Sequence, residues 1–562
     1  MEMHAEFAAA PGPRPWEALP RPLFPQVNPF KLSTPDPAPF DALALGGQLR
    51  VLTGLRAEMK SLRTSTLNAR TQLKRLDQIR DQTEQALQPL EQWLSTMPLP
   101  VPAGLHEAAR TGNTVLKELG VSYSDLATRA SVRWTAFGLV KPSRLAVLRA
   151  MDAHARRLRL AYRAYSHGSR SAWAQLHHLY ILAVEQGFAQ LACEPEAPTA
   201  ADIYVRALLL AHAEPTQYAG CQFDHLCAYI ETHAHLVSLA AAVPGRMLGF
   251  SDRGKFLVKH PEPGPGQACA KRANIPTGPG DLLLDCTALL EELAQQTISL
   301  GKGTPTYALG LPEASRSTEY ASMLRRAYRS WAGQAGRRLP RKSVHPVVDL
   351  TVGLDPIWDF VAGSAFCRRS SDADTEHYIP QVRMSEWSLI DASDSGMALH
   401  FAGGDADGVH IDELCAVRMR DRRAANVCII RRAVSGKSNE LLLGLEILTP
   451  EALAVSVEWE VETTSHEASA VLIPEMANLE NAEGLIVPAH QLSPGTELTV
   501  QQGELRRRMR VKHWVERAAH WEILAIEPAV DPEVVQSPPS SPPPEGEAST
   551  VARPPESGRV EG

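Results

Sequence analysis

Trp387-Ser388-Leu389-Ile390-Asp391-Ala392-Ser393-Asp394-Ser395-Gly396-Met397-Ala398-Leu399 reads as a strand, a tight turn and a second strand. Inside it lies Asp-x-Ser-x-x-Gly, made of Asp391, Ser393 and Gly396. A carboxylate at the turn can accept hydrogen bonds, a serine hydroxyl can hold the turn or touch a phosphate, and glycine takes backbone angles that other residues resist.

Working outward, Arg337-Arg338-Leu339-Pro340-Arg341 supplies Arg-x-x-x-Arg upstream, with Pro340 disfavouring a helix between the two cations. Downstream, Val427-Cys428-Ile429-Ile430-Arg431-Arg432 and Leu441-Leu442-Leu443-Gly444-Leu445-Glu446-Ile447-Leu448 read as a β-hairpin. This order resembles the PilZ domain, a small antiparallel β-barrel whose best-known ligand is the bacterial second messenger cyclic di-GMP. The resemblance implies a signal receptor and not an enzyme. It implies a ligand site made of Arg337, Arg341, Asp391, Ser393 and Gly396. Arginine grips both oxygens of a phosphodiester with a bidentate fork that lysine cannot imitate, and Asp391 would accept from the guanine N1–H and N2–H. A Gly/Ser/Asp-rich stretch, Val361 to His377, lengthens the interval between the two motifs, and Arg368, Arg369 and Arg383 are alternative cations.

The resemblance extends upstream, to large bacterial proteins in which a long helical region precedes a PilZ-like barrel. The segments that carry it are Leu76 to Pro100, ending in Met97-Pro98-Leu99-Pro100; Trp173-x-x-x-His177-His178-Leu179-Tyr180-x-x-Ala183-x-Glu185; Tyr204-x-Arg206-Ala207-Leu208-Leu209-Leu210; and Asp349-Leu350-x-x-Gly353-Leu354.

The 562 residues carry a net charge of -7, with 44% hydrophobic and 22% charged residues, the balance of an ordinary globular protein. That charge argues against a nucleic-acid coat or a polybasic membrane anchor. No apolar run is long enough to cross a bilayer, and Met1 to Pro13 does not read as a secretory signal. Eight cysteines without Cys-x-x-Cys read as reduced thiols, which places the chain in the cytoplasm.

Prolines crowd residues 1–40, an extended arm. Between 41 and 95, leucines recur at three-and-four spacing, but Thr66, Ala69, Arg80 and Thr83 make the seam too polar for a long coiled coil, so it reads as one face of a helical bundle. Helical spacing continues at 104–119, 144–165, 171–191, 200–213 and 222–242. Phe256-Leu257-Val258 reads as a short strand, Asp281 as the N-cap of a helix over 281–300, and 317–333 as a further helix. From 337 the pattern is β-rich, and strands are predicted again at 454–462, 470–473, 497–501 and 509–514. The chain is thus a multidomain α + β protein: a Pro-rich arm (1–40), an α-helical region (41–336), a PilZ-like antiparallel β-barrel (337–452), a further β-rich C-terminal unit (453–530) and a disordered tail (531–562).

Other candidate sites carry less. His177, His178 and Glu185 lack a third metal ligand, and Cys221, Asp224, Cys227, Glu231 and His235 lack the tight paired spacing of structural zinc sites. Gly301-Lys302-Gly303-Thr304 is not a full phosphate loop. Arg506-Arg507-Arg508-Met509-Arg510-Val511-Lys512 reads as a solvated strand edge. The expected activity is that of a cyclic di-GMP receptor or adaptor without metal or cofactor, which passes the second-messenger level to an unnamed protein partner through its helical region. The alternatives are a degenerate PilZ scaffold that binds no nucleotide, and an enzyme or metal site near His177.

Overall fold

The structure, a computed structural model, describes residues 42–529 apart from 137–139, 334–341, 344–345, 363–383, 394, 405, 407, 420–423, 437–439, 462–463 and 477–481. The proline-rich arm, the C-terminal tail, Arg337, Arg341, Arg368, Arg369 and Arg383 lie outside these residues.

The chain begins as helices: α1 (Ala42–Thr64), α2 (Ala69–Thr96), α3 (Ala103–Ala136), α4 (Val140–Arg163), α5 (Arg170–Glu185), α6 (Ala200–His212) and α7 (Gly220–His233). Asn68 caps α2 by accepting from the Thr71 amide, and the helix stops at Thr96, ahead of Pro98. One face of α2 buries Leu73, Leu76, Ile79, Thr83, Leu87, Leu90 and Leu94, spaced by three and four. Thr83 is tolerated there because its hydroxyl donates to the Ile79 carbonyl at 2.7 Å. Helices α2, α3 and α4 meet at Gly112, where an added Cβ would sit 2.6 Å from Leu87 Cδ2 and 3.3 Å from Leu160 Cδ2. The Thr199–Asp202 capping box fixes the start of α6.

A small sheet then interrupts the helices. Strands β1 (Ser238–Ala241), β3 (Lys255–Val258), β4 (Gln267–Ala268) and β6 (Leu282–Asp285) form it in the order β1-β6-β3-β4, while β2 (Met247–Leu248) pairs with β5 (Ile275–Pro276). The strand expected at Phe256–Val258 is β3. The helix expected over 222–242 ends at His233, and Ser238–Ala241 pairs instead with β6. Asp281 does not cap a helix. It precedes β6 and accepts from the Gly278 amide, and α8 (Thr287–Gly301) starts after Asp285, whose carboxylate takes the Thr287 amide. Helix α9 (Thr318–Trp331) closes the region, capped by Ser317.

Two closed, six-stranded antiparallel barrels follow. The first comprises β8 (Val347–Val352), β9 (Ser385–Ser393), β10 (Gly396–Gly404), β11 (Leu414–Met419), β12 (Ala425–Ser435) and β13 (Leu441–Thr449). It runs β8-β11-β12-β13-β10-β9 and closes from β9 to β8. A short strand, β7 (Lys342–Ser343), extends β8's line along β9, and helix α10 (Leu354–Ala362) follows β8. The second comprises β14 (Leu453–Val461), β15 (Thr464–Met476), β16 (Ala482–Pro488), β17 (Glu497–Gln502), β18 (Leu505–Arg517) and β19 (Trp521–Pro528), closed in the order β14-β15-β16-β19-β18-β17.

The three larger apolar clusters organise these units, and a fourth, of Leu248, Leu257, Cys269 and Ile275 with Ala242, lies at the small sheet. The helical core is continuous with the interior of the first barrel, through residues such as Trp387, Leu399, Cys428 and Leu443. The second barrel fills its interior with Val457, Leu485, Val500 and Leu524. Between the barrels runs an apolar seam of Ile357 and Phe360 from α10, Leu414, Ala416, Val427 and Ile429 from the first barrel, and Val471, Ile473, Ile486, Trp521 and Ile523 from the second. Trp358 of α10 donates its indole N–H to the Val455 carbonyl at 2.8 Å. The seam covers the outer face of β11 and, at Val427 and Ile429, of the first half of β12. Leu448 at the end of β13 also packs against it.

Candidate functional site

The Asp-x-Ser-x-x-Gly residues form the tip of the β9–β10 hairpin. Ser393 pairs directly with Gly396, so the chain reverses tightly, and the Ser393 hydroxyl donates to the Gly396 carbonyl at 3.1 Å. Gly396 is the first residue of β10 and pairs on its other side with Glu446 of β13. The Ser395 carbonyl accepts the Ile447 amide at 3.2 Å, which pins the tip to β13. Asp391 and Ser393, two residues apart on one strand, share a face. Ala392 between them packs against the core.

Strand β7 lies beside this tip. Lys342 pairs with Ala392 and Ser343 with Asp391. The described chain therefore resumes, one residue after Arg341 in sequence, next to Asp391.

Behind the tip is a charge network that the sequence did not single out. Arg431 is the extra residue where the β12–β13 register shifts between Ile430 and Arg432, and a bulge re-aims a side chain. Its guanidinium meets Glu446 at 2.7 Å, Glu516 of the second barrel at 2.7 Å and Asp412 at 3.2 Å. Asp412, in a left-handed backbone conformation at φ 65, also receives Arg326 of α9 at 2.7 Å and the side-chain amide of Gln222 of α7 at 3.3 Å. Its carbonyl accepts the Trp521 indole N–H at 3.0 Å. Burial alone would raise the Asp412 carboxyl, but Arg326 and Arg431 outweigh it and hold the group below the usual carboxylate range. One residue, through its carboxylate and its backbone carbonyl, thus joins the helical region to both barrels. A cavity of about 300 Å³ opens beside it, lined by Tyr165, Gln222, Glu319, His410, Glu516 and Trp521 among others.

The remaining sequence candidates resolve into local structure. His177 lies between the Tyr204 hydroxyl at 2.6 Å and the Gly264 carbonyl at 2.9 Å, while His178 and Glu185 point to solvent. Asp224 pairs with Arg163, and Glu231 lies 3.7 Å from Arg159. Lys302 and Gly303 terminate α8, with Gly303 at φ 81. Arginines 506, 507, 508 and 510 each meet a glutamate of the second barrel. Among the described residues no group of three or more His, Cys, Asp or Glu side chains is arranged to hold a metal ion, and no helix is long and apolar enough to cross a membrane.

No curated protein and no solved structure matches the chain. Residues 41–244 match the family model described as cyclic-di-GMP receptor FimW, N-terminal domain. The match runs from α1 to just past β1, and so falls in the helical region rather than in either barrel.

Proposed function

We propose that this chain is a cyclic di-GMP receptor whose ligand sits on the outer face of the first barrel, at the β9–β10 tip. In this reading the barrel is PilZ-like, Asp391 takes the guanine edge, Ser393 and Gly396 shape the floor, and Arg337 and Arg341 close over the phosphates. The observation that carries it is the register of β7. Lys342 and Ser343, which directly follow the Arg-x-x-x-Arg segment in sequence, pair with Ala392 and Asp391. The family match in residues 41–244 supports the same ligand from another part of the chain.

Ligand binding would hold the arginine segment against the barrel and alter how the helical region meets a protein partner. Two contacts favour that route. The Ser435 amide at the end of β12 donates to the Tyr165 carbonyl at 2.8 Å, and the Ser166 hydroxyl donates to the Ser435 carbonyl at 3.3 Å. Both residues of the α4–α5 loop are thus tied to the barrel.

Calorimetric titration of the full chain with cyclic di-GMP, beside Asp391→Ala and Arg341→Ala, tests the reading. Binding lost in both variants supports the site as named. Binding that survives Arg341→Ala moves the cation role to Arg368, Arg369 or Arg383. Absence of binding in the unaltered protein leaves a PilZ-shaped scaffold for protein partners.

A further inference from the structure

Beyond Ile429 and outside that seam, the outer face of the first barrel carries one row of cross-strand partners. Asp391 pairs with Ala398, Ala398 with Gly444, and Gly444 with Arg432. Directly opposed residues of antiparallel strands project to the same face. Their neighbours Met397, Leu399, Leu443 and Leu445 are buried in the barrel interior, so the row faces outward.

The two middle positions have the smallest side chains available. Between Asp391 and Arg432 the surface is therefore a shallow trough, edged by Gly396 and Glu446 on one side and by His400 and Leu442 on the other. It crosses three strand spacings, about 14 Å. Arg432 is exposed and makes no ion pair or hydrogen bond with the described residues, unlike its neighbour Arg431. A Cβ added to Gly444 would lie 3.3 Å from Arg432 Cβ and 3.9 Å from its Cδ, so the arginine stem lies across the glycine.

We propose that Arg432 is a further phosphate-binding residue of the receptor site, which neither sequence motif includes. A flat anionic nucleotide whose base is held by Asp391 lies in the Ala398–Gly444 trough and presents a phosphodiester to the Arg432 guanidinium. Gly444 leaves room for the ligand to lie flat, and the planar fork of arginine matches two phosphate oxygens. The proposal rests on the receptor reading above.

The test is calorimetric titration of the full chain with cyclic di-GMP, using Arg432→Ala, Arg432→Lys and Gly444→Leu. Arg432→Ala should weaken binding at least tenfold with an unchanged melting temperature. It should also flatten the salt dependence of Kd, since one phosphate contact is gone. Arg432→Lys should recover little of the loss, and Gly444→Leu should weaken binding by obstructing the trough. If Arg432→Ala or Gly444→Leu binds as tightly as the unaltered protein while Asp391→Ala does not bind, the trough assignment is overturned and the receptor reading stands. If the unaltered protein does not bind, the receptor reading falls and this inference with it.

Discussion

The two barrels share a strand count and a closed antiparallel design, yet they treat their surface cations in opposite ways. The second barrel has the denser run, Arg506 to Lys512 on β18, and neutralises it: Arg506 meets Glu458 at 3.6 Å, Arg507 meets Glu483 at 3.0 Å, and Arg510 meets Glu497 at 2.7 Å. The first barrel has two adjacent arginines on β12, one locked into acids and the other presented over a glycine. A run of positive charge in sequence is therefore a poor guide to an anion site. What matters is whether the neighbouring strands supply the counter-charge. Exposed pairs add little stability, but they use up the hydrogen-bonding capacity that a ligand would need.

The largest effect that separates the barrels is expected at Asp412. Replacing it with Ala leaves Arg326 and Arg431 facing each other without their shared carboxylate, and should cost about 3–5 kcal/mol in denaturant unfolding. Glu483→Ala, which frees Arg507 on the second barrel, should change stability by no more than about 0.5 kcal/mol. Equal losses in the two variants would break the contrast. Next comes ligand affinity. Asp391→Ala should weaken cyclic di-GMP binding at least tenfold, a difference of about 1.4 kcal/mol, whereas Arg507→Ala and Arg510→Ala should leave the titration unchanged.

Smaller effects sharpen the view of where the barrels join. Trp521→Phe keeps the ring in the seam but removes the indole donor to the Asp412 carbonyl, and should cost about 1 kcal/mol in the same unfolding experiment. A pH series gives the gentlest signal. Burial first, and then the neighbouring His520, both lower the His410 imidazole in the folded protein. The unfolded chain then takes up this proton first, so the stabilisation is complete above about pH 6.5 and is lost as pH falls through that value toward the folded one. Melting curves in this window should drop for the unaltered protein and drop less for His410→Gln.

Much of this architecture was legible. Leu414–Met419 is a strand inside the β-rich region expected from residue 337, and the Asp391–Gly396 turn is a hairpin tip because its flanks alternate and its turn residues are polar and small. Strand β19 was not legible. Trp521 and Ile523 face the seam while Leu524 and Ile526 face the barrel interior, so both sides are apolar and the period of two vanishes. The extent of the helical region was overdrawn at 222–242, because residues that pair with β6 continue the apolar spacing of α7. Asp412 gave no sequence signal at all. Its partners at 222, 326, 431 and 521 come from four separate elements, and only the folded chain brings them together. Arg431-Arg432 did contain a clue: two long cations side by side in an apolar strand cannot both face outward on an unbroken pleat, which is the signature of a bulge.

The apolar seam between the barrels also bears on synthesis. Strands β11 and β12 leave the ribosome with Leu414, Ala416, Val427 and Ile429 directed at a surface that does not yet exist, and their cover, Val471 to Ile523, is translated later. At cellular elongation rates that interval lasts on the order of ten seconds. During it the first barrel presents an aliphatic stripe covered only in part, by α10, so a chain halted between Leu453 and Trp521 is expected to be a client for chaperones rather than a smaller working protein.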